Sequence, residues 1–197
     1  MSTVENEIIQ YFQKLDRSFY METDKGMAHM DQPVSIGHGQ TISQPSLVLK
    51  MTLLLDVYPE AKVLEVGTGS GFQTDVLASF SKEVYTVERI EALHERAKEK
   101  LAAAGYHNVK CKLGDGSCGW KEYAPYDRII VTAAASKIPP HLIDQLAFGG
   151  KMLIPVGTPV SQELTLVEKD EGGEVKTTFL DHVVFVKLQG DYDEAEG

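Results

Sequence analysis

Apolar residues recur at helical spacing in two stretches near the start of the chain. From residue 4 to about residue 20 they are interleaved with charged residues, which predicts a helix docked against a larger core. A second apolar pattern covers residues 47–55, where Pro45 suits the first turn of a helix and Ser43 suits its cap. Two helices are therefore expected before the main part of the fold.

From residue 62 onward, short buried strands alternate with helical patterns. The sequence predicts, in order, strand 62–66, helix 70–80, strand 83–88, helix 90–104, strands 109–113 and 126–132, helix 140–148 and strand 149–157. Two further strands, 163–169 and 178–188, are joined by a turn at 170–173 that is typical of a hairpin. This order predicts an α/β fold with a mostly parallel seven-stranded sheet, antiparallel C-terminal strands and an N-terminal helical extension.

Three alternate glycines follow the first of these strands. The stretch from Val63 to Gly71 reads V-L-E-V-G-T-G-S-G, so the backbone can turn sharply and approach a ligand closely at the start of a helix. The spacing does not fit the dinucleotide fingerprint G-x-G-x-x-G, and no Gly-Lys-Ser/Thr follows as in a Walker loop. It favours the E-x-G-x-G-x-G turn of Rossmann-like class I S-adenosylmethionine-dependent methyltransferases, with Glu65 as the acid. A generic glycine-rich turn is the alternative.

Acidic residues at the ends of the next two strands extend this predicted nucleoside site. Glu88 ends the second strand, where a carboxylate can accept hydrogen bonds from both ribose hydroxyls, and an exposed strand-end carboxylate is the alternative. Asp115 follows the third strand and is a candidate acceptor for an adenine amino group, with neighbouring backbone for the ring nitrogens. The fourth strand must end near the cofactor because it neighbours the first strand in any such fold.

The segment 31–45 is neither helical nor alternating. Two prolines and two glycines constrain its path, while the side chains of His38, Gln40, Thr41 and Ser43 offer specific hydrogen bonds. A polar loop constrained in this way is more typical of a site than of plain surface. Residue chemistry alone still favours a helix cap as the role of Ser43.

Composition excludes several classes of protein. The 197 residues carry a net charge of −10, which disfavours a nucleic-acid surface, and no apolar run approaches the ~20 residues of a membrane span. The two cysteines, Cys111 and Cys118, predict neither a disulfide framework nor a zinc site. The first residues lack the features of a signal peptide, so we expect a cytoplasmic protein.

Together these motifs resemble those of the protein-L-isoaspartate (D-aspartate) O-methyltransferase family, from about residue 31 to residue 188. The segment 33–45 reads P-V-S-I-G-H-G-Q-T-I-S-Q-P against the family pattern P-L-P-I-G-x-G-Q-T-I-S-x-P, and the glycine turn reads V-L-E-V-G-T-G-S-G-F-Q against V-L-E-I-G-T-G-S-G-Y-Q. Further matches lie at 87–89, 115–116, 119–120, 125–127, 132–134 and 155–157. Departures at Val34, Ser35 and Lys187 fall near the expected substrate cleft.

The resemblance implies methyl transfer from S-adenosyl-L-methionine to the free α-carboxyl of L-isoaspartyl residues in damaged proteins and peptides. The ester then closes to a succinimide that hydrolyses partly to aspartate, and S-adenosyl-L-homocysteine is the other product. Ser43 becomes the catalytic residue, cast as a hydrogen-bonding group because no His and acid are arranged to activate it as a nucleophile. The implied cofactor-binding residues are Gln40, Thr41, Ile42, Glu65, Gly67, Thr68, Gly69, Ser70, Gly71, Glu88, Asp115, Gly116 and Thr132.

The whole chain is expected to be one methyltransferase domain and a monomer that binds no metal, nucleic acid or membrane. Its expected parts are N-terminal helices and active-site loop at 1–60, cofactor-binding core at 61–157, antiparallel strands at 158–190 and a solvated acidic tail at 191–197. Two other functions stay open: a methyltransferase of this fold acting on a small-molecule acid or other carboxylate, and a module that binds S-adenosylmethionine without catalysis. Glycine spacing disfavours a nicotinamide-dependent oxidoreductase.

Overall fold

The computed structural model describes residues 3–193, and its largest element in that part of the chain is a seven-stranded sheet. The helices are α1 (Thr3–Phe12), α2 (Pro45–Leu55), α3 (Phe72–Phe80), α4 (Glu91–Ala103) and α5 (Pro140–Gln145). The strands are β1 (Val34–Gly37), β2 (Gln40–Ile42), β3 (Lys62–Val66), β4 (Glu83–Glu88), β5 (Val109–Leu113), β6 (Tyr126–Val131), β7 (Leu146–Thr158), β8 (Ser161–Lys169) and β9 (Val175–Val183). Strands β1 and β2 pair separately as a small antiparallel hairpin.

The large sheet has the order β5-β4-β3-β6-β7-β8-β9. Strand β3 pairs in parallel with both β4 and β6, whereas β8 pairs antiparallel with both β7 and β9. The chain therefore leaves β3 in one direction to build β4 and β5, and returns to the other side of β3 to build β6. Such a reversal opens a crevice at the carboxyl ends of the central strands. The predicted Rossmann-like methyltransferase architecture is confirmed.

Apolar side chains pack on both faces of this sheet. Val63 on β3 joins the cluster under α1, α2, α3 and α4, whereas its neighbour Leu64 joins the cluster under α5. Both side chains are fully buried. Burial on both faces explains why the parallel strands are continuous apolar runs in the sequence, and it makes the carboxyl edge of β3 a rigid platform.

The first helix ends at Phe12, so the prediction of one helix to residue 20 is wrong in its extent. A short 3-10 helix at Arg17–Tyr20 follows, and the Asp16 side chain caps it by accepting from the Ser18 N–H. Apolar spacing continues through this turn because Tyr20 still reaches the core. The apolar spacing therefore correctly predicts that residues 4–20 pack against the core, but it does not show where the α-helix ends.

The cap interpretation of Ser43 is also wrong. Helix α2 starts at Pro45 after an extended Gln44 that makes no side-chain capping bond. The Asp31 carboxylate instead accepts from the Ser46 N–H at 2.8 Å, reaching the first turn of α2 from the preceding loop. Because the Asp31 carboxylate bonds an N–H group in this first turn, the Ser43 hydroxyl is not used as a helix cap.

Two boundaries differ near the end of the chain. Helix α5 ends at Gln145 rather than at residue 148, because the residues that follow already belong to β7. Strand β9 covers Val175–Val183 rather than 178–188. The predicted hairpin between β8 and β9 is present, with the Gly173 N–H donating to the Asp170 carbonyl at 3.0 Å.

A buried glutamine ends β9. The Gln162 side chain accepts from the Phe185 N–H at 2.6 Å and donates to the Phe185 carbonyl at 3.0 Å, so an amide group replaces the next strand partner. Beyond this point the chain turns to the loop after β6, where the Ala134 N–H donates to the Val186 carbonyl at 2.8 Å. Residues 185–189 thereby reach the carboxyl edge of the sheet.

Candidate functional site

A cleft opens at the carboxyl ends of β3, β4 and β6 and encloses about 960 Å³, including its open mouth. Its walls are the glycine turn at 67–70, residues 40–43 around the end of β2, and residues 185–189 after β9. The predicted site residues that line it are Gln40, Thr41, Ile42, Ser43, Gly67, Thr68, Gly69, Ser70, Glu88, Gly116 and Thr132. The fold thus brings most of the sequence-derived set together from five separate segments.

The glycine turn has a backbone that other residues rarely adopt. Gly67, Gly69 and Gly71 have φ values of 97°, 55° and 90°. A Cβ atom on Gly67 would also overlap the hydroxyl oxygen of Thr132, which donates to the Gly67 carbonyl at 2.6 Å. Gly71 caps α3 and does not line the cleft. Shape and close contact together require glycine at Gly67.

Glu88 is held at the cleft by the backbone on either side of it. Its two carboxylate oxygens accept from the Gly69 and Ile90 N–H groups, both at 2.9 Å. The residue is only 5% exposed, so the alternative of an exposed strand-end carboxylate is wrong. A carboxylate has about four acceptor positions, which leaves capacity for the hydroxyl groups of a ligand.

Glu65 lies behind the glycine turn and not in the cleft. The hydroxyls of Thr74 and Thr86 donate to one of its oxygens at 2.5 and 2.7 Å, and the other oxygen has no partner within residues 3–193. Burial raises the pKa of Glu65 to about 8, although the two hydroxyls lower it and the charge of Glu88 raises it. Thr86 is also 2.6 Å from the hydroxyl of Thr68, so Glu65 supports the turn from behind.

Asp115 is committed to local contacts outside the cleft. Its carboxylate accepts from the Ser117 N–H at 2.8 Å, the Ser117 hydroxyl at 2.9 Å and the Asp191 N–H at 2.9 Å. With Cys118 and Asp191 it forms the one set of three potential metal ligands found among the described residues. Those hydrogen bonds already use most of the acceptor capacity of Asp115. The expected absence of a metal stays a prediction.

Ser43 lines the cleft with a side chain that makes no hydrogen bond to any residue between 3 and 193. Its backbone is fixed, because the Ser43 carbonyl accepts from Nη2 of Arg17 at 2.9 Å. His38, the weaker candidate in this loop, is exposed at the turn between β1 and β2 and lies outside the cleft. Within the described residues, the loop therefore presents to the cleft the hydroxyls of Ser43 and of the more exposed Thr41 as free donors.

Several cleft residues were not identified from the sequence. Val48 and Met51 on α2 line the cleft, although their apolar spacing indicated only a core helix. Residues 185–188 were predicted as part of a strand. The only sign that they border the cleft was that Lys187 differs from the family pattern near the expected substrate site. Side chains that leave an apolar helix face to contact a ligand carry no distinct sequence pattern.

Known proteins resemble this chain over most of its length. The sequence model of a family described as Protein-L-isoaspartate(D-aspartate) O-methyltransferase matches residues 2–193. A protein-L-isoaspartate O-methyltransferase 2 of Syntrophobacter fumaroxidans is 54% identical over 173 residues, which are 87% of this chain and 70% of that protein. A protein of the same name from Polaromonas sp. is 49% identical over 189 residues, or 95% of this chain and 90% of that protein.

A solved structure agrees with the fold and contains a ligand. It is a putative protein-L-isoaspartate O-methyltransferase from Plasmodium falciparum in complex with S-adenosyl-L-homocysteine. The two chains share 28% sequence identity and superpose with a TM-score of 0.80 over 95% of this chain and 91% of the other.

Proposed function

The chain belongs to the protein-L-isoaspartate(D-aspartate) O-methyltransferase family, and from this membership we infer that it methylates L-isoaspartyl residues with S-adenosylmethionine. The methyl group goes to the free α-carboxyl group of the damaged residue in a protein or peptide. The ester closes spontaneously to a succinimide, and hydrolysis returns part of it to aspartate. The reaction is therefore protein repair.

The cleft suits S-adenosylmethionine through groups at three strand ends. We propose that the turn at 67–71 holds the methionine part, that Glu88 accepts from the ribose hydroxyls, and that the backbone at Gly116 lies beside the adenine. Asp115 can join the adenine only by sharing acceptors now used by its own loop, so its direct role stays a prediction. When bound, the cofactor supplies an electrophilic methyl group and its own leaving group.

The protein's own task is to place the substrate carboxylate. A carboxyl group with a pKa of about 4 is ionised at neutral pH, so no general base is needed. Ser43 donates a hydrogen bond to one carboxylate oxygen and leaves the other aligned with the methyl group. Residues 40–42 and 185–189 exclude water from the carboxylate, which makes it a better nucleophile.

One observation carries this proposal above the alternatives. The hydroxyl of Ser43 has no partner within the described residues, yet it lines the same cleft as the glycine turn and Glu88. A module that only binds the cofactor has no need of such a donor. The open donor beside a nucleoside-type site is what transfer to a carboxylate requires.

The test is methyl transfer from labelled S-adenosylmethionine to two matched peptides, one with L-isoaspartate and one with aspartate. Ser43→Ala removes one hydrogen bond to a charged group, worth about 1.5–3 kcal/mol, so kcat/KM should fall roughly 10- to 100-fold. Ser46→Ala is the matched control, because Ser46 is exposed on the first turn of α2 and lies outside the cleft.

Transfer confined to the isoaspartyl peptide and reduced only by Ser43→Ala would support both the reaction and the role of Ser43. Equal methylation of the aspartyl peptide would contradict the repair function. If the protein binds the cofactor but methylates neither peptide, the substrate is another carboxylate, such as a small-molecule acid.

We also propose that the chain acts as one domain and as a monomer in the cytoplasm, without binding nucleic acid or membranes. The net charge of −10 supports the exclusion of nucleic acid. No helix among residues 3–193 has the length and apolarity needed to cross a membrane. Sedimentation equilibrium at several concentrations tests the monomer, and a concentration-dependent mass would contradict it. The proposed acidic tail lies mostly outside the described residues.

A further inference from the structure

Arg17 is buried between the N-terminal segment and the active-site loop. The residue is only 4% exposed, although a charged guanidinium is costly to remove from water. Within the described chain no carboxylate lies within ion-pairing distance of it. Something other than a salt bridge therefore compensates its burial.

Backbone carbonyl groups take that place. Nη1 donates to the carbonyls of Ala28 and Met30 at 3.3 and 3.2 Å. Nη2 donates to the carbonyl groups of Gln32 at 2.9 Å, Ile42 at 3.3 Å and Ser43 at 2.9 Å. One guanidinium thus joins the 3-10 helix at 17–20 to the turn at 28–32 and to the residues that form the cleft wall.

We propose that Arg17 is a positioning residue: by holding the carbonyls of Ile42 and Ser43, it fixes the direction in which the Ser43 hydroxyl enters the cleft. This inference rests on the proposed function of Ser43. The Ser43 Cα lies between the peptide groups that carry the Ile42 and Ser43 carbonyls, so holding both carbonyls fixes the Ser43 backbone and with it the direction of the Cα–Cβ bond. Methyl transfer depends on alignment, and misplacement by about 1 Å costs on the order of 100-fold in rate.

The geometry needs the planar fork of arginine. A guanidinium presents five N–H donors in fixed directions, whereas lysine presents a compact ammonium with three. Lysine at this position would keep the positive charge but could not reach the carbonyls on both sides at once. Arg17→Lys therefore separates the effect of charge from the effect of geometry.

The experiment places Arg17→Lys in the wild-type and Ser43→Ala backgrounds and measures kcat/KM for the isoaspartyl peptide. In wild type we expect a loss on the order of 10- to 100-fold, with a much smaller loss of affinity for S-adenosyl-L-homocysteine because Arg17 donates no hydrogen bond to the glycine turn or Glu88. In the Ser43→Ala background we expect little further loss, since the group that Arg17 positions is already gone.

Tyr11→Phe is the matched control. It removes a hydrogen bond of 2.6 Å from Tyr11 to Asp75, so it loosens the same N-terminal segment without touching residues 28–43. If Arg17 only stabilised this segment, Tyr11→Phe would reproduce its kinetic effect. We expect Tyr11→Phe to leave peptide turnover unchanged.

Hydrogen exchange tests the geometry independently of the reaction. Arg17→Lys should speed exchange at residues 28–32 and 42–46 in particular, and unchanged exchange there would overturn the inference even if wild type methylates neither peptide. Equal fold losses in the two serine backgrounds, or parallel loss of S-adenosyl-L-homocysteine binding, would also overturn it. A wild type that methylates neither peptide would by itself defeat only the proposed function.

Discussion

Glu65 carries its carboxyl group into a part of the protein that water does not reach. The residue is 0% exposed, and burial raises its pKa to about 8. At neutral pH the group is therefore mostly protonated, and it acts as a neutral hydrogen-bonding support rather than as a charge. The acid of the glycine-turn motif lies here behind the turn and does not line the cleft.

Replacing Glu65 by Gln should change how stability depends on pH. The carboxyl group ionises near its ordinary value of 4.5 in the unfolded chain and near 8 in the folded protein, so between these values only the folded state keeps the proton. The free energy of unfolding must then fall as pH rises, by up to about 1.4 kcal/mol per unit, and level off above pH 8. Glu65→Gln removes this slope.

Denaturant unfolding of both proteins between pH 5 and pH 9 measures the effect. The difference in unfolding free energy between variant and wild type should grow in favour of the variant up to about pH 8. A constant difference across this range would contradict a raised pKa.

Gly67 and Gly105 allow backbone strain to be separated from steric overlap. Both have positive φ, 97° and 88°, but a Cβ on Gly105 would meet nothing within 4 Å, whereas one on Gly67 would overlap Thr132. Gly105→Ala should cost about 1–2 kcal/mol, and Gly67→Ala about 1–3 kcal/mol more because the overlap adds to the strain. Urea unfolding of the pair checks this, and equal costs would contradict it.

Sequence reasoning succeeded for the glycine turn and failed for Arg17, for a physical reason. Alternate glycines after a buried strand leave few conformations to consider, so Gly67 and Glu88 could be placed in advance. An arginine between the apolar residues Leu15 and Phe19 is typical of a solvated helix face. The partners of Arg17 are backbone carbonyl groups, which every residue has, so no pattern of side chains in the sequence predicts them.

Among the elements, the end of β9 determines one wall of the cleft. The buried Gln162 substitutes for a strand partner at Phe185, and the chain then crosses to the loop after β6. A longer β9 would have kept residues 185–189 in the sheet and left the cleft open on that side. The cleft therefore depends on one amide side chain well away from it in sequence.

Gln162→Met keeps the size of this side chain and removes both hydrogen bonds. We expect a loss of about 1–3 kcal/mol in the free energy of unfolding, because the Phe185 backbone groups lose their partners. Hydrogen exchange should also become faster at 184–189. Faster exchange spread evenly over the sheet, with none specific to this segment, would contradict the role assigned to Gln162.

The strands were predictable because β3, β4 and β6 are buried on both faces and form short apolar runs. The element boundaries that were missed share a different cause. α1 ends at Phe12, shortly before the 3-10 helix that Asp16 caps, and β9 ends at Val183, after which the Gln162 side chain on β8 bonds the Phe185 backbone. Each boundary is set by a particular side-chain contact that local propensity does not contain.

At the scale of the whole molecule, the reversal of strand order between β3 and β6 brings together the glycine turn, Ser43 and the cleft wall at residues 185–189. Ligand binding at this junction should stabilise the entire fold. At a concentration of S-adenosyl-L-homocysteine one hundred times its Kd, the gain is about 2.7 kcal/mol, which corresponds to roughly 5–10 °C in Tm for a chain of this length.

Differential scanning calorimetry with and without S-adenosyl-L-homocysteine measures this shift. Glu88→Gln should reduce it, because an amide offers one acceptor oxygen where the carboxylate offers two. A wild-type Tm that does not move at millimolar ligand would contradict the cofactor assignment.

The cleft takes one wall from residues 40–43 and another from residues 185–189, with the glycine turn between them in the sequence. During translation these parts leave the ribosome in that order, and a domain generally folds as a unit. A chain interrupted before Phe185 carries Ser43 and the whole glycine turn but only part of the enclosure that excludes water. A complete cleft therefore requires the chain through Gln189, and fragments released before that point lack part of one wall.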